Sequence, residues 1–310
     1  MTLRLTSSQI DIQRAADLLG AGDLIAFPTE TVYGLGANAR DGRAVAAIYA
    51  AKGRPSFNPL IVHVADAFRA REYGVWSETA QALADAFWPG PLSMVLPLRA
   101  DAGLSDLVTA GLDSVAIRVP AGDLAQDLLR TFDGPVAAPS ANPSGRISPT
   151  TAQHVLNGLG GKIAGILDGG ACTVGLESTI VGLTGIPTLL RAGGVPREAI
   201  ETVLEIDLAN PEKGVISAPG QIASHYAPRA KVRLNAHSWN DDELTLGFGQ
   251  MECTLNLSEG ADLIEAAANL FGHLHLLDAM DGEHIAVAPI PNAGLGAAIN
   301  DRLKRAAAPR

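Results

Sequence analysis

Short apolar segments that are typical of buried strands lead, several times along the chain, into loops rich in glycine and hydroxyl side chains. Residues 23–27 are predicted to form such a strand and lead into the loop 28–38, PTETVYGLGAN. Residues 135–138 lead in the same way into the loop 139–150. Helical spacing of apolar residues predicts helices over 10–19, 41–51 and 78–87. This alternation predicts an α/β fold, in which ligands bind in loops at the strand ends.

One of the connecting segments carries two cations. Residues 52–63, KGRPSFNPLIVH, place Lys52 and Arg54 two positions apart, beside a glycine and a proline. A lysine supplies a point charge and an arginine a planar fork of donors, a combination that suits polyphosphate binding. Because the preceding helix is predicted to end at Lys52, both cations lie near the partial negative charge of a helix C-terminus. A solvated basic loop is the alternative interpretation of these residues alone.

Two polar side chains fall within predicted strands. The strand 114–119 has one apolar face, and Arg118 lies on the other. Burying an arginine is unfavourable unless it meets an anion, so we expect either a structural salt bridge or the carboxylate of a substrate. His63, on the predicted strand 60–64, is either a core histidine with its hydrogen bonds satisfied or a ligand contact.

A further anion site is predicted at the start of a helix. Ser148 is predicted as the N-cap and Pro149 as the first helical residue, so that Thr150 and the free amides of the first turn would favour an anion. A later glycine-rich loop, 189–194, carries Arg191. The candidate cations are therefore Lys52, Arg54, Arg118 and Arg191. Cations and hydroxyl groups at strand ends suit phosphate transfer by positioning and charge neutralisation.

The composition limits the class of protein. The net charge of −10 argues against a chain that wraps nucleic acid through general basicity, although a local cationic pocket is still allowed. Cys172 and Cys253 give no disulfide framework, and no apolar run approaches the roughly 20 residues of a membrane span. Residues 1–11 lack a signal-peptide pattern, so we expect a soluble, cytoplasmic protein.

The length of 310 residues favours two domains. Residues 206–230 are rich in proline and glycine and are predicted to be a linker, although they contain the aromatic pair His225 and Tyr226. Helical spacing in the tail predicts helices over 261–270 and 295–308. His273 and His275 lack metal-ligand spacing and are predicted to be ordinary surface residues.

Taken in order, these motifs resemble those of the threonylcarbamoyl-AMP synthase family. The motifs are PTETVYGLGAN at 28–38, KGRP at 52–55, NP at 58–59, WPGP at 88–91, VAIRVP at 115–120, PSAN at 139–142, SPT at 148–150 and EST at 177–179. They cover about the first two-thirds of the chain, and HYAP at 225–228 with the tail resembles the two-domain form of the family.

The resemblance implies an α/β fold with a YrdC-like twisted mixed sheet, flanked by helices around a central cationic cavity, and a small C-terminal Rossmann-like domain. It implies a catalytic domain over 1–207, a linker that acts as a lid over 208–230 and a shortened second domain over 231–310. Residues 221–224, QIAS, replace the basic and aromatic segment usual in the family, so a weaker lid is expected.

The resemblance also implies the reaction. L-Threonine, bicarbonate and ATP, with Mg²⁺ accompanying ATP, would give L-threonylcarbamoyl-AMP and pyrophosphate through attack of a carbamate on the α-phosphate. The product would serve threonylcarbamoyl modification of the tRNA adenosine next to the anticodon. The implied partners are a downstream tRNA threonylcarbamoyl transferase complex and, by weak contact, tRNA. No metal ligand from the protein is predicted.

The same resemblance assigns roles to residues of this chain. The predicted catalytic residues are Lys52 and Arg54. The predicted L-threonine contacts are Thr31, His63, Arg118, Ser140 and Ser178. The predicted ATP contacts are Lys52, Arg54, Asn58, Ser114, Ser140, Asn142, Thr150, Arg191 and, from the lid, Tyr226.

Two other functions stay open at this point. Related domains transfer carbamoyl groups from carbamoyl phosphate during maturation of a metalloenzyme cofactor, but they occur beside zinc-finger-like segments, and this chain has no paired Cys-x-x-Cys motif. A non-catalytic module that binds double-stranded RNA or tRNA would show steep salt dependence of RNA affinity and no release of pyrophosphate from ATP.

Overall fold

The computed structural model describes residues 1–55, 58–211, 225–280 and 282–309. The strands β1 to β14 are Leu3–Leu5, Ile25–Phe27, Gly34–Asn38, Ile61–His63, Leu92–Pro97, Ser114–Arg118, Val136–Ala137, Gly165–Leu167, Thr179–Gly182, Thr188–Arg191, Lys231–Arg233, Glu243–Gly247, Leu255–Asn256 and His284–Val287. The helices α1 to α10 are Gln9–Gly20, Gly42–Lys52, Ala67–Ala70, Glu78–Phe87, Asp106–Thr109, Asp123–Phe132, Ala152–Leu159, Arg197–Leu204, Leu263–Ala279 and Leu295–Ala306.

The first ten strands form one mixed sheet with the order β1-β8-β2-β3-β7-β4-β6-β5-β9-β10. Strand residues alternate between its two faces. Leu24 and Ala26 pack with helices α2 and α4, whereas Ile25 and Phe27 pack with α1 and α6 on the opposite face. The predicted mixed α/β sheet flanked by helices is thereby confirmed.

The alternation along β4 and β6 determines which side chains reach the site. Leu60 and Val62 belong to the core cluster that includes helix α2, while Ile61 packs on the other face of the sheet. The pairing of β4 with β6 is parallel and sets His63 beside Arg118. The strand period therefore brings two predicted site residues next to each other on the face opposite α2.

The last four strands form a separate parallel sheet with the order β11-β14-β12-β13. Helices α9 and α10 pack on it through residues such as Leu274 and Ile299. The same apolar cluster includes Val32, Ile147 and Leu176 from loops at strand ends of the large sheet. The C-terminal α/β unit thus packs directly against the loops predicted to bind ligands. None of the helices in the described ranges is long and apolar enough to cross a membrane.

The predicted start of a helix at Ser148 is wrong. Helix α7 begins at Ala152, with Thr151 as the N-cap that accepts a hydrogen bond from the amide of His154. The Ser148 hydroxyl instead donates to the Glu177 carboxylate at 2.5 Å, and the Pro149 carbonyl accepts from the amide of Tyr33. These tertiary hydrogen bonds hold 148–150 outside the helix.

Three other expectations change. Arg191 ends strand β10 rather than lying in a loop, and the helix predicted at 261–270 continues to Ala279. His275 is not an ordinary surface residue, because its ring stacks on that of His154 from the large-sheet domain, with centroids 3.8 Å apart. The domain division at 207 and 230 stays a prediction, and residues 212–224, which include the QIAS segment, lie outside the described residues.

Candidate active site

Loops at the strand ends of the large sheet and the first residues after position 224 line one partly open cavity. The predicted site residues that line it are Thr31, Arg54, His63, Arg118, Ser140, Ser178, Arg191 and Tyr226. Residues that are up to 195 positions apart in sequence, from Thr31 to Tyr226, are therefore brought to one place.

Arg118 lies at one side of this cavity with most of its donors already used. Its guanidinium donates to Glu30 at 2.6 Å, to the Thr31 hydroxyl at 2.9 Å and to the Gly90 carbonyl at 3.2 Å. The expected salt bridge is thus present, and Arg118 also lines the cavity. Its placement is compatible with both alternatives drawn from the sequence.

His63 lies beside Arg118 and is buried. Its Nδ1 is 3.2 Å from the Ile61 carbonyl, and its ring meets that of Phe27 edge-on. Burial, and then the charge of Arg118, lowers the pKa of His63 to about 3. The ring is therefore neutral near pH 7 and contributes a hydrogen-bonding surface rather than a charge.

Two arginines line the other part of the cavity and are oriented by main-chain oxygens. Arg54 donates to the Pro59 carbonyl at 3.0 Å, and Arg191 donates to the Ser178 carbonyl at 2.7 Å. Burial is the main reason that the pKa of each falls to about 10. Both remain cations, and an anion in the cavity would offset the desolvation that disfavours their charge.

Lys52, predicted as a catalytic cation, is not among the cavity-lining residues. It is buried, and its ammonium group donates to the Ser140 carbonyl at 2.5 Å and to the Asn142 carbonyl. Burial, together with the charge of Arg54, lowers the pKa of Lys52 well below its usual value. Gly53 follows in the left-handed region with φ of 61°, which lets the chain turn sharply out of α2. In this structure Lys52 orders the loop 139–142 from behind.

The remaining predicted ATP contacts lie outside the cavity lining. Asn58 and Asn142 are buried, and within the described ranges both amide atoms of Asn58 and the Oδ1 of Asn142 have no hydrogen-bond partner. Buried polar atoms are nearly always paired, so these atoms fit the polar groups of a bound ligand. The Thr150 hydroxyl lies beside the His154 ring. Ser114 and Arg118 are at opposite ends of β6, and a rise of about 3.3 Å per residue places them roughly 13 Å apart. Ser114 is therefore not brought to the cavity.

Several contributors to the site were missed by the sequence analysis. Glu177 lines the cavity, and its carboxylate accepts from Ser148 and, at 2.7 Å, from Arg302 of helix α10. The Arg302 guanidinium also lies over the Tyr226 ring, 5.2 Å from its centroid. Glu177 belongs to the EST motif and could have been suspected. Arg302 belongs to no motif, so nothing in the sequence pointed to it.

A metal centre formed by the protein alone has no support in the described part of the chain. No group of three or more histidine, cysteine, aspartate or glutamate side chains is arranged there to hold a metal ion. Glu177 is the acidic residue among those that line the cavity, and both of its oxygens accept hydrogen bonds from other side chains.

Comparison with known proteins places this architecture in a family. A family model described as telomere recombination matches residues 17–193, and one described as the C-terminal domain of threonylcarbamoyl-AMP synthase matches 195–308. The threonylcarbamoyl-AMP synthase of Bacillus subtilis is 41% identical over an alignment of 336 positions, which covers 100% of this chain and 96% of that protein. The synthase of Pyrococcus abyssi is also 41% identical, over 95% of this chain and 93% of that protein.

Solved structures agree with these matches. The crystal structure of Pyrococcus abyssi Sua5 complexed with L-threonine superposes with a TM-score of 0.91 and 37% identity, over 99% of this chain and 97% of that one. The structure of Escherichia coli YciO, with a TM-score of 0.57 and 21% identity over 62% of this chain and 95% of that one, supports the fold alone. With both family models matched and relatives aligned over the whole chain, this protein belongs to the threonylcarbamoyl-AMP synthase family.

Proposed function

We propose that this chain forms L-threonylcarbamoyl-AMP and pyrophosphate from L-threonine, bicarbonate and ATP. The observation that carries the proposal is one cavity, in a member of this family, lined by groups that would suit a carboxylate and by groups that would suit phosphates. Arg118 with Thr31 and neutral His63 forms the first side, and Arg54 with Arg191 forms the second. Such a cavity holds two anionic substrates close together, which is the main requirement of this reaction.

At the first side, Arg118 would hold the carboxylate of threonine. Its guanidinium is fixed by Glu30 and Thr31, so it is oriented before the substrate arrives. A neutral His63 adds no second positive charge, and Ser140 and Ser178 offer polar groups to the rest of the amino acid. The neutral amine of threonine would attack the carbon of bicarbonate here, and water would leave. The carbamate that results has an anionic oxygen, which needs no strong general base.

At the second side, Arg54 and Arg191 would neutralise the charge that develops as the carbamate attacks the α-phosphate and pyrophosphate leaves. Fixed donors are most effective where water is excluded, and Tyr226, which is fully buried, covers the cavity. Lys52 contributes by holding the carbonyls of Ser140 and Asn142 in place.

Mg²⁺ belongs to this proposal as part of the substrate MgATP. Magnesium ions in nucleotide sites are held largely by phosphate oxygens and water, so a cluster of protein carboxylates is not required. Among the described residues that line the cavity, Glu177 is the one carboxylate, and both of its oxygens already accept hydrogen bonds. The proposal also includes transfer of the product to tRNA by a separate transferase, and a weak contact of this chain with tRNA.

The experiment that tests the proposal is pyrophosphate release measured with ATP, Mg²⁺, L-threonine and bicarbonate, each omitted in turn. Release that requires all of them, with formation of the threonylcarbamoyl adenylate, is the expected result. Turnover of carbamoyl phosphate instead would favour the maturation carbamoyltransferase. RNA binding with a steep salt dependence and no pyrophosphate release would favour an RNA-binding module.

A further inference from the structure

A side chain of the C-terminal domain contacts two residues that line the active site, Glu177 and Tyr226. Arg302, on helix α10, is completely buried. Its guanidinium donates to the Glu177 carboxylate at 2.7 Å and to the Ala192 carbonyl at 2.9 Å, and it pairs with Asp301 at 2.8 Å. Two of its three partners therefore belong to the large-sheet domain.

These two partners are sequence neighbours of residues that line the cavity. Glu177 precedes Ser178, and Ala192 follows Arg191. Ser178 and Arg191 are themselves joined, because the Arg191 guanidinium donates to the Ser178 carbonyl at 2.7 Å and to its hydroxyl at 3.1 Å. Arg302 thus fixes from outside the same two segments that meet inside the cavity.

The same guanidinium supports the residue that covers the cavity. The Tyr226 ring contacts two side chains of the C-terminal domain. The Cζ of Arg302 lies 5.2 Å from the centroid of this ring, and the centroid of the Phe271 ring lies 5.5 Å from it. Tyr226 has a φ of 64°, a conformation that non-glycine residues adopt only when their surroundings enforce it. Arg302 and Phe271, both from the C-terminal domain, supply part of those surroundings.

Arg302 also changes the charge that a substrate meets. An unpaired Glu177 carboxylate in the wall of the cavity would repel a triphosphate. Because Arg302 binds one carboxylate oxygen and Ser148 donates to the other, this charge is compensated in large part by Arg302.

We propose that Arg302 is a positioning residue through which the C-terminal domain sets the geometry of the ATP side of the cavity. It does so by holding the 177–178 and 191–192 segments together and by supporting Tyr226 in its covering position. This inference rests on the proposed function in that ATP is taken as the ligand, and it gives the C-terminal domain a specific part in catalysis.

The test compares Arg302→Lys with Arg233→Lys. Arg233 lies in the same domain, is itself exposed and pairs with Glu243, so the second variant controls for the substitution itself. Arg302→Lys keeps the positive charge, but an ammonium group cannot contact all the partners of the guanidinium. We therefore expect the dissociation constant for ATP to rise about tenfold. The KM for ATP should rise in parallel, and kcat should change less. In a Tyr226→Leu background the same substitution should weaken ATP binding by less than in the wild type, because the contact with Tyr226 is already lost while those with Glu177 and Ala192 remain.

ATP binding is measured directly, so the result does not depend on turnover. A wild-type protein that binds ATP but releases no pyrophosphate would refute the proposed function and leave the Arg302 comparison valid. ATP affinity in Arg302→Lys equal to that of Arg233→Lys would overturn the positioning role.

A second variant tests the proposal if Arg302→Lys does not fold. If Arg302→Lys does not fold, the double variant Glu177→Leu with Arg302→Met, which removes both buried charges, replaces it. Wild-type ATP affinity in this double variant overturns the proposal, and about tenfold weaker binding supports it. Failure of both variants to fold would assign the pair to stability alone and would also overturn the proposal.

Discussion

The cations of the cavity and those of the C-terminal domain have different hydrogen-bond partners. In the cavity, Arg54 donates to the carbonyls of Asn58 and Pro59, and Arg191 donates to the carbonyl and hydroxyl of Ser178. Behind it, Lys52 donates to the carbonyls of the 139–142 loop. A carbonyl orients a cation without cancelling its charge.

In the C-terminal domain, arginines are paired with carboxylates. Arg233 lies 2.6 Å from Glu243, and Arg302 is bound by both Glu177 and Asp301. Burial alone would lower the pKa of Arg302, but Tyr226, Glu177 and Asp301 raise it above the ordinary value. These pairs are neutralised within the protein.

The difference explains how a chain with a net charge of −10 can offer an anion site. Arg54 and Arg191 are oriented by main-chain carbonyls, and burial disfavours their charge until an anion arrives. The C-terminal domain carries compensated charge, which suits a supporting role. Substitution of an arginine in the cavity should therefore lower activity more than stability. Substitution of a paired arginine in the C-terminal domain should lower stability more than activity.

The largest effect is expected for Arg54→Met. Removing this cation should lower kcat/KM for pyrophosphate release by about 100-fold or more, because it stabilises charge on the transferred phosphate. The thermal midpoint should stay the same or rise, since a buried, uncompensated charge is lost. Steady-state kinetics and thermal unfolding measure both quantities, and Arg99→Met, at an exposed ion pair with Asp101, is the matched control. Near-normal turnover would remove Arg54 from the mechanism.

Arg118 differs from Arg54 and Arg191, because it forms a salt bridge with a carboxylate, that of Glu30. Arg118→Met should raise the KM for threonine by about 10- to 100-fold, as expected for loss of charged hydrogen bonds, and change the KM for ATP by less than about threefold. It should also lower the thermal midpoint, since Glu30 is left without its partner. Equal shifts in the two KM values would contradict a role at the threonine carboxylate.

These substitutions concern residues that the sequence could identify. The strands, the alternation that sets His63 beside Arg118 and most of the cavity residues follow from local patterns and from motifs. Ser114 shows the limit of an assignment by resemblance, because it belongs to the same strand as Arg118 but lies at the opposite end, outside the cavity lining. Proximity in sequence does not determine which end of a strand reaches the cavity.

The contacts that the sequence did not predict join distant residues. Arg302 and Glu177 are 125 positions apart, and His275 meets the Ser148 carbonyl across 127 positions. The expected helix start at Ser148 failed for the same reason, since its hydroxyl donates to the Glu177 carboxylate instead of accepting from a helix amide. Such choices are decided by tertiary contacts between segments that are distant in sequence, and periodicity within one segment contains no information about them.

Tyr226→Ala tests the contact between the two regions and should have an intermediate effect. Loss of the ring removes the cover of the cavity and the stack with Arg302, so ATP affinity should fall about fivefold to tenfold by isothermal titration. Tyr226→Phe keeps the ring and should stay within about twofold of the wild type. Unchanged ATP affinity in Tyr226→Ala would mean that residues 225–228 are a plain tether.

The smallest effect is expected at a neutral contact between the regions, the stacked rings of His154 and His275. Burial is the main cause that lowers the pKa of each to about 4, and each ring also lies beside a polar group, the Thr150 hydroxyl for His154 and the Ser148 carbonyl for His275. Both rings are therefore neutral in the folded protein near pH 7, which matches their close stacking.

The sign of the pH dependence follows from these pKa values. Unfolded histidines bind a proton near pH 6.5 and the folded ones only near pH 4, so their stabilising contribution is complete above pH 6.5 and is lost as the pH falls towards 4. His154→Phe combined with His275→Phe keeps the stack and should flatten the decline of unfolding free energy in this interval, measured by urea denaturation. The decline will not vanish, because His63 and His225 are also buried with lowered pKa values. His237→Phe, at an exposed position, is the control and should leave the decline unchanged. If the double variant declines as steeply as the wild type, the stacked pair does not link proton binding to contact between the domains.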